Sequence, residues 1–86
     1  MAQMAQQEPL HIEVSALGTF TDEQKAKLVE CYKAKTILDV VQRAATGVSR
    51  CIAASYADES TTRTYTFVFG GATLQTVTAT ETIPAA

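Results

Sequence analysis

Two alternating runs meet at a Gly-Gly pair in "TYTFVFGGATLQTVT", residues 64–78, and no other stretch narrows the choice of fold as much. Gly-Gly between period-2 segments is the signature of a tight hairpin, because both glycines reach the backbone angles that a two-residue turn requires. Read as such a turn, the segment pairs Phe69 with Ala72, Phe67 with Leu74 and Tyr65 with Thr76. One face then carries Tyr65, Phe67, Phe69, Ala72 and Leu74. The other carries Thr62, Thr64, Thr66 and Val68 beside Thr73, Gln75, Val77 and Ala79, and is the wetter of the two.

Upstream, "ADEST" (residues 57–61) forms a second turn. A loop of even length there keeps Ile52, Ala54 and Tyr56 on the face of Tyr65 and Phe67. Since a one-residue slip sends every side chain to the wrong face, this shared parity favours a three-stranded meander.

The first half reads differently. "LHIEVSAL" alternates Leu10, Ile12, Val14 and Ala16 against His11, Glu13 and Ser15, as a half-buried strand does. Thr21 and Gln24 then stand at capping-box spacing, with Asp22 and Glu23 in a first turn where negative charge suits the helix dipole. From Thr21 the pattern predicts helix as far as Gly47, a usual residue just past a helix end. Two apolar stripes run along it. Leu28, Val29, Cys31 and Tyr32 share one side, whereas Ala34, Ile37, Leu38, Val41, Ala44 and Ala45 share nearly the opposite one. Either the helix breaks near Thr36, or one long helix buries its halves against different neighbours.

The expected class is therefore α+β: an N-terminal strand, one long or two short helices, and a three-stranded antiparallel meander packed on the helical layer. Residues 1–9, "MAQMAQQEP", read as a flexible arm, residues 10–83 as a single domain and residues 84–86 as a tail.

Two resemblances bear on function. "TILDV" and "TGVSR" are similar to the first helix and the turn of helix-turn-helix DNA-binding domains. That likeness implies a recognition helix over Ser49–Tyr56, with Ser49 and Arg50 as candidate DNA contacts and "RTYTFVFGGATLQTV" as a wing. The net charge of −2 opposes it, because phosphate attraction supplies most non-specific affinity for nucleic acid. The second concerns residues 28–69: a helix ending near "ATG", a hairpin with a polar turn and a "TYTF" strand resemble the small head-completion and connector proteins of tailed phages. It implies a non-enzymatic ring or plug component of a phage head-to-tail connection.

Chemistry is scarce. His11 is the only histidine and pairs in sequence only with Glu13, with no identifiable nucleophile or oxyanion arrangement. Cys31 and Cys51 have no companions at metal-ligand spacing and read as buried thiols. Lys25, Lys27, Lys33 and Lys35 lie among acidic residues, as on a solvated helix face. No enzymatic activity, cofactor or metal is expected. With 47% hydrophobic residues the chain has a packed core, and no run reaches the roughly 20 apolar residues that span a bilayer. The expectation is a soluble protein, cytoplasmic or within a virus particle.

Protein contact is the remaining capacity. At 86 residues a single core is near its lower size limit, so a partner or self-association is expected. The opposed helical stripe and the wetter strand face nominate Leu28, Val29, Tyr32, Val77 and Ala79 as the interface. The leading expectation is a structural or assembly protein. The alternatives are a winged helix-turn-helix regulator and a phage-encoded inhibitor of a host protein.

Overall fold

The computed structural model describes residues 10–71 and 73–84. The arm over residues 1–9 and the last two residues of the expected tail lie outside these. The chain forms β1 (Leu10–Glu13), α1 (Asp22–Lys33), a single 3-10 turn (Ile37–Asp39), β2 (Val40–Ala44), β3 (Gly47–Glu59), β4 (Thr62–Gly70) and β5 (Gln75–Thr82). The strands make one five-stranded sheet in the order β1-β2-β3-β4-β5. β1 and β2 run parallel, joined through α1, and the remaining neighbours are antiparallel.

This overturns the expected α+β arrangement of a helical layer over a three-stranded meander. The molecule is mostly a curled, mixed sheet with one α-helix. The helix begins where the sequence places it, with a full capping box between Thr21 and Gln24. It does not run to Gly47. The amides of Lys35 and Thr36 donate to the carbonyls of Tyr32 and Cys31, and Lys35 takes the left-handed conformation at φ 64°. That is a Schellman end with lysine in the usual glycine position. Beyond it Ile37, Val40 and Val41 are β-branched, and the segment becomes strand β2. The two opposed stripes arise because the second one is not on the α-helix: it runs through the 3-10 turn into β2.

α1 lies on one face of the sheet. Leu28, Tyr65, Phe67, Phe69, Val40 and Cys51 are almost fully buried in the core, joined by Phe20, Val29, Cys31, Ile37, Val77 and Ala79. Phe20 meets Phe69 at 5.3 Å between ring centroids, and Tyr32 sits edge-on to Tyr65 at 5.5 Å. Gln42 of β2 is buried, yet both ends of its amide are bonded. Its Nε2 donates to Gln75 Oε1 (2.7 Å) and its Oε1 accepts from the Gly18 amide (2.9 Å). The network ties β2 to the start of β5 across the inner face and leaves no amide atom of Gln42 unpaired.

The hairpin register also differs from the sequence reading. Phe69 pairs with Gln75, Phe67 with Val77 and Tyr65 with Ala79, a three-residue shift. An odd shift exchanges the faces. Val77 and Ala79 therefore point into the core, and Leu74 lies 72% exposed. The glycines serve a longer loop: a Cβ at Gly71 would stand 2.8 Å from the Val48 carbonyl oxygen, so the chain passes β3 too closely for any side chain. The Ala72 of the expected turn lies outside the described residues.

At the other end, Ser60 and Thr61 close a two-residue hairpin loop between Glu59 and Thr62. Tyr56 and Ala54 share the face of Tyr65 and Phe67, as the parity predicts. Ile52 does not, because a β-bulge between Cys51 and Ala53 turns it outward and seats Cys51 opposite Phe69.

Candidate interaction surface

Three features of the surface follow from this architecture. The first is the face of the sheet opposite α1, over which no other described element packs. Along β4 and β5 it presents Thr62, Thr64, Thr66 and Val68 beside Thr82, Thr80, Thr78 and Thr76, paired directly across the strands. Neither strand contributes a charge to this face. Towards the Gly71 loop Val48 is 57% and Ile52 54% exposed, with the exposed Arg50 between them on the same strand face. Ile52 and Leu74 approach over Gly70, where an added Cβ would lie 2.9 Å from Ile52 Cδ1 and 3.4 Å from Leu74 Cδ2. Gly70 thus lets two exposed aliphatic side chains from different segments meet on this face.

The second feature is the pair of sheet edges that α1 lies between. Gln24 Nε2 donates to the Glu13 carbonyl at the β1 side (2.7 Å), and Lys33 Nζ donates to Glu81 at the β5 side (2.6 Å). Along β5 a groove of about 430 Å³ is lined by Asp22, Lys25, Ala26 and Val29 of the helix and Thr78, Ala79 and Thr80 of the strand. A second depression continues it past Gly18–Phe20 towards Thr76.

The third is a polar cluster where the helix end meets β3, β4 and β5. The Tyr65 hydroxyl donates to Glu81 Oε1 (2.6 Å) while Lys33 donates to Oε2. These bonds, Lys33 first, hold the Glu81 carboxyl below the usual range. The same contact raises Lys33. Burial, then the bond to Glu81, raises the Tyr65 phenol. Arg63 makes a two-point bond with Asp58 (2.6 and 2.9 Å) and lies over the Tyr56 ring at 4.3 Å. The guanidinium lowers Asp58, which in turn raises Arg63. Lys33 and Arg63 are therefore each tied to a carboxylate, and the cluster is a clasp between elements rather than an open anion site.

The sequence-nominated interface does not assemble on the surface. Leu28, Val29, Val77 and Ala79 are buried, and Tyr32 is half-buried among Tyr56, Tyr65 and Phe67. They build the core, with Val29 and Ala79 also reaching the wall of the β5 groove. The candidate DNA contacts are separated as well. Ser49 is buried on the inner face, whereas Arg50 is exposed on the outer one, where its Nε donates to the Leu38 carbonyl (3.2 Å). Ser49 to Tyr56 lies within β3, so the recognition helix of the helix-turn-helix expectation is a strand. "ATG" is likewise the β2–β3 turn, not a helix end.

Sequence reasoning missed the meeting of Ile52 and Leu74 over Gly70. The bulge and the three-residue register shift put them together, and neither is marked by a residue type. His11 and Glu13 are exposed on β1, and Cys31 and Cys51 are buried free thiols, with burial pushing the Cys51 thiol up. Among the described residues no helix is long and apolar enough to cross a membrane. The chain matches no family model, no curated protein and no solved structure.

Proposed function

We propose that this chain is a small, non-catalytic structural or assembly protein that acts through protein-protein contacts. The observation that carries the reading is the sheet face left uncovered by the described elements, uncharged along β4 and β5 and apolar where Ile52 and Leu74 meet over Gly70. One-sided antiparallel sheets usually turn polar alternation to water. Here the open face keeps its threonines along β4 and β5 but adds Ile52 and Leu74, meeting around a glycine that admits them, as an exposed apolar contact point. A place in a phage head-to-tail connection is the specific form that the resemblance adds to this proposal, resting on its polar-turned hairpin and "TYTF" strand alone, since the helix it expects before "ATG" is strand β2.

The test is a pair of surface charges. Ile52→Asp and Leu74→Asp alter exposed positions, so the fold is retained, as circular dichroism would verify. Wild-type protein is expected to self-associate or to retain a defined partner in cross-linking mass spectrometry, and the double variant to lose that contact. Unchanged contacts in the variant would move the surface elsewhere. A wild-type chain that neither self-associates nor cross-links to any partner would end the assembly reading. Recovery of one host enzyme, with its activity lost on binding, would instead turn the reading into inhibition.

A further inference from the structure

We propose that the edge of β5, unpaired among the described residues, pairs with β5 of a second copy, antiparallel and across a two-fold axis, to give one continuous sheet with both α1 helices on the same flank. The proposal rests on the assembly reading and names its partner.

The two edges of the sheet are not equivalent. β1 spans only Leu10–Glu13, carries His11 and Glu13, and is flanked by Glu23, Lys27 and Glu30 of the helix. A short edge beside charges is how sheets avoid joining other chains. β5 is twice as long, eight residues against four, and from Gln75 to Thr80 it has no charge, no proline and no bulge. Its one ionised side chain, Glu81, is held inward by Lys33 and Tyr65. Nothing on the strand opposes strand addition.

A second copy fits this edge for two reasons. An antiparallel pair of identical strands is two-fold symmetric, so the same surface serves both copies and the assembly closes as a dimer. The flank of α1 that looks over the groove is also self-complementary. Asp22, Lys25, Ala26 and Val29 recur at i, i+3, i+4 and i+7, one stripe of the helix. In the two-fold arrangement these helices run antiparallel with their dipoles opposed, so Asp22 of one copy is carried toward the end of the other helix where Lys33 stands, bonded to its own Glu81. Ala26, small and exposed, stands mid-stripe where the flanks approach.

The experiment compares wild type with Thr78→Lys and Thr80→Lys by sedimentation equilibrium from micromolar to millimolar concentration. Both threonines are exposed on the outer side of β5, and lysine is a natural edge residue, so two independent variants guard against a folding artefact. Wild type is expected to move from 9.2 kDa to twice that mass, with both variants weakening the dimer roughly tenfold or more, since each brings two copies of a new lysine close together on the joined edge. In the dimer, β5 amides are also expected to gain protection from hydrogen exchange as concentration rises. A wild-type chain that stays at 9.2 kDa throughout overturns the proposal. So does a dimer indifferent to both lysines. If that dimer is broken by Ile52→Asp, the contact lies on the outer face and the assembly reading survives without the β5 pair. If the chain neither dimerises nor cross-links to a partner, both fall.

Discussion

Two residues sit where their chemistry is poorly served, and each gives a prediction whose sign is opposite to that of a typical mutation. Ser49 Oγ is buried without a hydrogen-bond partner among the described residues. A buried hydroxyl that bonds nothing carries its full desolvation cost, so Ser49→Ala is expected to be neutral or to stabilise by up to about 1 kcal/mol in urea unfolding. A loss of more than that would mean the hydroxyl is bonded in solution. Lys35 holds the left-handed position after α1, a conformation that costs an L-residue roughly 1–2 kcal/mol and glycine little. Lys35→Gly is expected to raise the thermal midpoint by an amount equivalent to about 1 kcal/mol, less what glycine's freer unfolded chain takes back. A lowered midpoint would show that the lysine side chain contributes more than its backbone strain costs. This residue also explains a misreading. The sequence offers Gly47 as the helix terminator, and nothing in the identity of a lysine announces a Schellman end twelve residues earlier.

The elements are joined by the clasp of Lys33, Glu81 and Tyr65, which binds α1 to β4 and β5. Glu81 and Asp58 both titrate below their ordinary range in the fold. The unfolded chain therefore takes up these protons at higher pH than the folded one. The stabilisation is present above the usual carboxylate range, about pH 4, and is lost as pH falls through the folded values. Midpoints measured from neutral to acid pH should fall in that window, and Glu81→Gln should shallow the fall. An acid limb identical in the variant would exclude Glu81 as its source. How far such elements were legible depends on whether their signal is local. The strand at Leu10–Glu13, the Thr21 cap and the shared face of Tyr56, Tyr65 and Phe67 each follow from neighbours a few residues apart. β2 was hidden because "ILDVVQRAA" satisfies a helical period as well as a strand composition, and its pairing with β1 is long-range. The outer patch was hidden for a related reason. Leu74 and Val77 exchange faces when a two-residue turn becomes a longer loop, and that choice is made by the passage of Gly71 against Val48 in another strand.

For the whole molecule, stability is concentrated at one end. A chain of this length has about 4–13 kcal/mol in total, from roughly 0.05–0.15 kcal/mol per residue. β4 is paired on both sides, and its Tyr65, Phe67 and Phe69 lie at the centre of the core beneath α1. The hairpin tip from Ala57 to Thr62 is exposed throughout. Opening of the tip breaks few buried contacts, whereas exposing a β4 amide requires the core to come apart. Amides from Tyr65 to Phe69 should therefore exchange only through global unfolding, and those from Asp58 to Thr61 through local fraying. Phe67→Ala separates the two routes. Truncating a fully buried phenylalanine costs about 3–5 kcal/mol, which accelerates globally limited amides about a hundred- to several-thousand-fold. The tip amides should keep their wild-type rates. If they accelerate by the same factor, the long β3–β4 hairpin opens with the core as one unit. If the β4 amides do not accelerate, the face beneath α1 is not what holds the sheet together, and the outer face gains weight as the side completed by a partner.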